Sequence, residues 1–259
     1  MASWRKYHNI GRRALPYAPL GTVVPKRRPP QSRYNEPQLP SRTVLLIVGH
    51  SFVSRAAQFV RRMSEPLPGI SEDTQFQGFP GANARGLLGR VEAMGKPIPP
   101  FVVLHIGDND LDTAPSYGEV DRTPAQIVED VLAIVSYLLG NGARRVALLK
   151  AHPRRPPPPR NPAVLINPTG IETPYLRRPD YDARRRDFNC LLRDRTREPR
   201  FQGRALLWER TAFRGYGPDT VLARDGVHLS DRKQREYCKI LDQVGRYLRR
   251  NFPAEAISV

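Results

Sequence analysis

Three segments of this 259-residue chain carry polar side chains directly after apolar runs or close to a long amphipathic stretch. Ser51 follows "TVLLIVGH", Asn109 lies in "FVVLHIGDND", and His228 lies in "ARDGVHLSD" just before the C-terminal stretch. A serine hydroxyl is a useful nucleophile near neutral pH only when a base accepts its proton. His228 is suited to that role, with Asp225 three residues earlier to hold its other ring nitrogen. These residue types therefore point to nucleophilic acyl transfer.

The same segments offer donors for the oxyanion that forms in such a reaction. A tetrahedral intermediate is stabilised by N–H groups aimed at its negatively charged oxygen. The candidates are the backbone N–H of Ser51, the unhindered N–H of Gly81 in "GFPGANARG", and the side-chain amide of Asn109. If Ser51 begins a helix, the positive end of the helix dipole also lies beside the developing charge.

Each residue also has a plainer interpretation when taken alone. Ser51 is a common helix N-cap, Asn109 a common former of Asx turns, Gly81 a turn residue, and His228 an ordinary loop histidine. Their joint occurrence at the ends of predicted strands favours the chemical interpretation. Ligand sites in doubly wound sheets gather at the carboxyl ends of the strands.

The elements that must position these residues alternate along the chain. Short apolar runs predict strands over 43–48, 101–106, 144–150 and 204–208, and helical periodicity predicts helices over 52–63, 124–142, 179–196 and 230–250. Thr123 and Pro124 predict the N-cap and first turn of the second of these helices, and Ser230 predicts the cap of the last. This alternation predicts an α/β fold with three α/β/α layers around a doubly wound, mainly parallel sheet.

Other stretches do not fit this alternation. Residues 1–42 are basic and proline-rich and predict a disordered arm, followed by one domain over 43–252 and a short tail over 253–259. The proline-rich segment 151–174 predicts irregular backbone, with His152 and "RRPPPPR" at 154–160 in an exposed loop or, alternatively, lining the crevice as a substrate-facing loop or lid. His105 lies within a predicted strand and is expected to be a packed core histidine.

Charge and cysteine content limit the partners and the compartment. The net charge of +17 favours polyanions such as nucleic acid, although abundant Arg, Pro, Gly and Ala can also reflect a GC-rich coding sequence. Cys190 and Cys238 fit neither a disulfide framework nor a metal cluster, which suggests reduced thiols in an intracellular, cytoplasmic protein. No apolar run reaches the roughly 18 residues of a transmembrane segment. No motif predicts a metal or a cofactor.

The order of the polar segments resembles the four blocks of the SGNH (GDSL-like) hydrolase superfamily. "GHSFVSR" resembles its nucleophile block, "PGANARG" its glycine block, "IGDND" its G-x-N-D block and "DGVH" its D-x-x-H block. More narrowly, the chain is similar to esterase-like domains associated with animal retrotransposons. The resemblance implies a three-layer fold and a metal-free serine esterase. Ser51 would be nucleophile and oxyanion donor, Gly81 and Asn109 further donors, His228 the base and Asp225 its orienting partner.

One position departs from the family pattern. The residue before the nucleophile is usually Asp and is His50 here. Two functions therefore stay open. One is a serine esterase acting on a small ester or acylated substrate. The other is a catalytically weak accessory protein of a mobile element that binds nucleic acid through its arginine clusters, such as "ARRR" at 183–186, and its basic arm. The sequence does not indicate the acyl group, the alcohol or the oligomeric state.

Overall fold

The computed structural model describes residues 43–112, 121–154, 163–166, 172–175, 178–209, 221–223 and 227–252. The strands are β1 (Leu45–Gly49), β2 (Thr74–Gly78), β3 (Phe101–His105), β4 (Arg145–Leu149), β5 (Ala163–Ile166), β6 (Glu172–Tyr175) and β7 (Ala205–Trp208). The helices are α1 (Ser51–Val60), α2 (Ala84–Ala93), α3 (Asp108–Asp112), α4 (Pro124–Gly140), α5 (Tyr181–Thr196) and α6 (Asp231–Asn251).

Five of the strands form one parallel sheet in the order β2-β1-β3-β4-β7. Strands β1 and β3 are buried along their whole length, which explains why their sequences are continuously apolar rather than alternating. Leu46 and Val48 of β1 belong to a core formed with α2, α4 and α5. Leu45 and Ile47 belong to a second core, formed with α1 and α6. The predicted three-layer α/β/α fold is confirmed.

Local sequence signals mark the starts of the two longest helices, α4 and α6. Thr123 is the N-cap of α4, and its side chain and that of Gln126 each accept from the other residue's backbone N–H in a capping box. Pro124 occupies the first turn, as expected for a residue without an N–H. Ser230 is the N-cap residue of α6, although its side chain makes no capping hydrogen bond.

Four elements differ from the sequence-based expectation. Strand β2, "TQFQG", was not predicted; it is an edge strand in which Gln77 alone is buried, so no apolar run marks it. Helix α3 replaces the expected polar loop at G-x-N-D and is too short to show periodicity. Within the segment predicted to be irregular, β5 and β6 form an antiparallel pair. Pro174 is tolerated in β6 because both strands of a two-stranded sheet are edges.

The predicted basic arm over 1–42 and the tail over 253–259 lie outside the described residues. Across the ranges given above, no helix is both long enough and apolar enough to cross a membrane.

Candidate active site

Strand β1 turns into α1 through Gly49, and close packing explains the glycine. Gly49 is in register with His105 of β3, and a Cβ at Gly49 would lie 2.1 Å from the His105 carbonyl oxygen. The next N–H, that of His50, donates to this same oxygen at 3.2 Å. The chain therefore leaves the carboxyl edge of the sheet with Ser51 as the first residue of α1.

The cap of α1 is His50 and not Ser51. His50 has an extended backbone, and its Nδ1 accepts from the N–H of Phe52 at 3.4 Å. The interpretation of Ser51 as a plain N-cap is therefore wrong, because the neighbouring imidazole already fills that role. Ser51 retains 9% exposure and sits at the positive end of the helix dipole.

Ser51 meets His228, which lies far along the chain. The Oγ of Ser51 and the Nε2 of His228 are 3.1 Å apart, within reach for proton transfer. The backbone around His228 is fixed by the N–H of Ala223, which donates to the His228 carbonyl at 2.7 Å, and by the bridge between Leu222 and Leu229. Asp225 lies outside the described residues, so its role stays a prediction.

The turn at the end of β2, residues 78–82, contains two glycines and lies beside the start of α1; we call it the glycine turn. Strand β2 ends at Gly78, where a Cβ would lie 2.2 Å from the backbone nitrogen of Ser54. Gly81 follows in the turn with φ +75°, a conformation that favours glycine. Asn109 is tied to the same turn, because its Nδ2 donates to the carbonyl of Ala82 at 2.9 Å. Asn109 is thus hydrogen-bonded to the residue that follows Gly81, and the action of Gly81 and Asn109 on an oxyanion remains a prediction.

A pocket of about 440 Å³ opens at the serine and histidine. The described residues that line it are Ser51, Ser54, Arg55, Gln58, Phe59, Arg62, Pro80, His228, Leu229, Asp231 and Gln234. The glycine turn contributes Pro80 to this wall, whereas Gly81 and Asn109 are not part of it. Two other pockets, of about 310 and 480 Å³, lie along β7 and contain none of the predicted site residues.

A buried carboxylate, Asp108, lies behind the nucleophile. Its Oδ2 is 3.0 Å from Nε2 of His50 and 3.4 Å from Nε2 of His105, and its Oδ1 accepts from the backbone N–H of His152 at 2.8 Å. Because Nδ1 of His50 accepts from a backbone N–H, we assign the His50 proton to Nε2, which then donates to Asp108. The Nδ1 of His105 contacts the Tyr237 hydroxyl at 2.7 Å.

The charges in this cluster follow from the same contacts. Burial by itself would raise the pKa of Asp108, but the close contacts with His105 and His50 outweigh burial and hold that pKa well below its usual value of 3.8. Burial lowers the pKa of His50 to about 4, against the opposing effect of Asp108. At neutral pH the cluster therefore contains a carboxylate and a neutral His50.

Asp108 was not predicted to belong to the site, and neither was Arg154. The guanidinium of Arg154 donates to Oδ2 of Asp112 at 2.7 Å and to Oδ1 of Asn109 at 2.8 Å, which fixes the orientation of the Asn109 amide. Arg154 is 4% exposed and His152 is 3% exposed. The expectation of an exposed loop is therefore wrong for these two residues, because both pack beside the buried carboxylates of α3.

The cluster behind Ser51 also has residue types that ligate metals. One ligand atom each from His50, His105 and Asp108 lies within 4.8 Å of the others. Imidazole and carboxylate together suit Zn²⁺. However, the His50 nitrogen that faces Asp108 carries the donated proton, so a metal would have to displace that proton and its hydrogen bond.

Comparisons with known proteins identify relatives of the fold. No protein-family model and no curated protein sequence matches the chain. Similar structures include a candidate acylhydrolase from Bacteroides fragilis, with 15% identity, a TM-score of 0.52, and coverage of 82% of this chain and 91% of that one. A catalytic mutant of an acetylxylan esterase from Geobacillus stearothermophilus shares 13% identity, with a TM-score of 0.50 and coverage of 82% and 94%. These similarities show that the chain has the three-layer fold of those proteins.

Proposed function

We propose that this protein is a serine-dependent esterase of the SGNH type. The observation that carries the proposal is the 3.1 Å contact between Ser51 Oγ and His228 Nε2 at the mouth of a pocket. Its position at the carboxyl edge of a parallel sheet, where such folds bind ligands, gives further support. Two proteins of similar fold are described as an acylhydrolase and as an acetylxylan esterase.

The chemistry would run in two steps. His228 takes the proton of Ser51 as the hydroxyl attacks the ester carbonyl, and it then gives that proton to the departing alcohol, which leaves an acylated Ser51. A water molecule, deprotonated by the same imidazole, releases the acid and restores the serine. Ser51 N–H, Gly81 N–H and the Asn109 amide are the proposed oxyanion donors, and Asp225 is the proposed partner of His228.

His50 does not compete for the nucleophile. Its Nδ1 accepts from Phe52 N–H and its Nε2 faces Asp108, so both ring nitrogens are engaged away from Ser51. The departure from the usual Asp is therefore compatible with catalysis. The alternative of a nucleic-acid-binding accessory protein depended on the arginine clusters and on the arm over 1–42. The arm lies outside the described residues, and Arg185 and Arg186 of the described "ARRR" cluster pair with Asp182.

The test is covalent labelling combined with ester turnover. We expect an alkyl fluorophosphonate probe to label the wild-type protein and the Ser54→Ala variant, but not Ser51→Ala, because Ser54 lines the same pocket and, among the described residues, has no histidine partner. Turnover of 4-nitrophenyl acetate should fall by about 10⁴-fold in Ser51→Ala. Labelling that survives Ser51→Ala would overturn the proposal.

A further inference from the structure

One face of α1 begins at the nucleophile and continues with two arginines. Ser51, Arg55, Gln58 and Arg62 follow one another at intervals of four, three and four residues, and all four line the pocket. With a helical rise of about 1.5 Å per residue, Arg55 lies about 6 Å along the helix axis from Ser51. Arg62 extends the same face just beyond the end of α1.

Within the described residues, Arg55 and Arg62 have no carboxylate partner, whereas many other arginines of the fold have one. Arg85, Arg178, Arg193 and Arg249, for example, each pair with an aspartate or a glutamate. Within the described part of the chain, neither Arg55 nor Arg62 forms an ion pair, and the Nε of Arg62 donates only to the carbonyl of Gln58 at 3.2 Å.

Other features of the pocket reinforce its positive character. Asp231 is the sole carboxylate on the described wall, and it pairs with neither arginine. Ser51 and Asp231 are the first residues of α1 and α6, so the positive ends of two helix dipoles lie at this pocket. Phe59, Pro80 and Leu229 supply the apolar part of the wall. A concave surface with uncompensated cations attracts anions over several ångströms.

We propose that the pocket selects esters that carry an anionic group, a carboxylate or a phosphate, a few bonds away from the scissile carbonyl. Arg55 is the main specificity-determining residue and Arg62 a second one, because a guanidinium binds either anion through paired N–H donors. The inference rests on the proposed function, since it names the substrate class of the Ser51 site.

The experiment compares two activated esters of equal chain length. One is 4-nitrophenyl hexanoate, and the other is the mono-4-nitrophenyl ester of adipic acid, in which a carboxylate replaces the terminal methyl group. We expect kcat/KM for the adipate ester to exceed that for the hexanoate ester by about fivefold to tenfold at low salt. The ratio should fall toward one as NaCl is raised, because the arginines are exposed and screened.

Variants assign the preference to residues. In Arg55→Gln, and further in the double variant with Arg62→Gln, the adipate-to-hexanoate ratio should approach one. Arg61→Gln is the matched control, because this exposed arginine stands between the other two in the sequence and does not line the pocket. In this variant both the adipate-to-hexanoate ratio and the hexanoate turnover should stay at wild-type values.

The outcomes separate this inference from the proposed function. Hexanoate turnover without a preference for the adipate ester in the wild-type protein would overturn the anionic substrate class and leave the esterase intact. A preference that survives the double variant would overturn the assignment to Arg55 and Arg62. Absence of turnover with both esters would overturn the proposed function itself.

Discussion

The ring of Phe52 contacts histidines of two kinds. His228 lies on the open side, partly exposed, with its ring centroid 6.2 Å away and its Nε2 on Ser51. His50, His105 and His152 lie on the buried side, at centroid distances of 5.0 to 5.5 Å. On the open side the imidazole can exchange protons with a substrate. On the buried side His50 and His105 contact a buried carboxylate, and burial lowers the pKa of His50 and His152.

Being a histidine at this edge of the sheet is therefore not enough to make a residue the base for Ser51. All four described histidines lie around Phe52, yet only His228 reaches the serine hydroxyl. Position and exposure decide the difference: His228 is partly exposed and 3.1 Å from Ser51 Oγ, whereas burial lowers the pKa of His50 and His152, and a general base must accept a proton.

The largest effect is expected for His228→Ala. This variant should lose about 10⁴-fold in kcat for 4-nitrophenyl acetate, because Ser51 loses its base. Its free energy of unfolding should stay within about 0.5 kcal/mol of wild type, as for a partly exposed residue. Activity assays and urea denaturation on the same preparation check both values. If His228→Ala also lowered the free energy of unfolding substantially, His228 would have a structural role like that of the buried histidines.

Unlike His228→Ala, the Asp108→Asn variant should chiefly lower the free energy of unfolding. His50 and His105 would face an amide instead of a carboxylate in a fully buried position, and breaking such a network costs about 3 kcal/mol. Urea denaturation measures this, with Asp194→Asn on the exposed face of α5 as the control. Equal stability in both variants would mean that Asp108 does not anchor the buried side.

The pH dependence of stability tests whether His50 is neutral. The pKa of His50 is lowered from 6.5 to about 4, so the folded state holds fewer protons than the unfolded state between these values. The contribution of neutral His50 to the free energy of unfolding is therefore fully present above pH 6.5 and is lost as the pH falls toward 4. This contribution amounts to about 3 kcal/mol. Burial also lowers the pKa of His152, which acts in the same direction.

The measurement is urea denaturation at intervals between pH 4 and 7. The pKa of Asp108 is well below 3.8, so the contribution of Asp108 to the free energy of unfolding is lost only below this pH range. Asp108 therefore does not add to the change measured between pH 4 and 7. In His50→Gln, which cannot titrate, the dependence should flatten. An unchanged slope in that variant would show that other groups cause it.

The smallest expected effect is a difference in kcat between two His50 variants, each of which keeps one of the two contacts of His50. In His50→Asn the amide replaces Nδ1 and keeps the cap on Phe52 N–H, whereas in His50→Gln the longer amide replaces Nε2 and keeps the contact with Asp108. If Asp108 holds the start of α1 in place, kcat should be about tenfold higher in the Gln variant than in the Asn variant. The reverse order would assign the positioning of Ser51 to the cap.

The predicted elements show where sequence is informative about this fold. Continuous apolar runs identified β1 and β3 because both faces of these strands are buried, and the Thr123–Pro124 pair marked the start of α4 because its capping chemistry is local. Strand β2 escaped prediction because an edge strand with polar residues has no such run. The pair β5–β6 escaped because a proline-rich segment indicates irregular backbone unless both strands are edges.

The candidate site divides in the same way. The sequence by itself determined the residue types, their order, and the placement of Ser51 and Asn109 after buried strands, since these depend on neighbours along the chain. Only the tertiary structure decided that His228 reaches Ser51, that His50 contacts Asp108, and that Arg154 holds Asn109. Each of these contacts joins residues from different strand ends or loops. Their distances follow from the order and twist of the sheet, which no local pattern encodes.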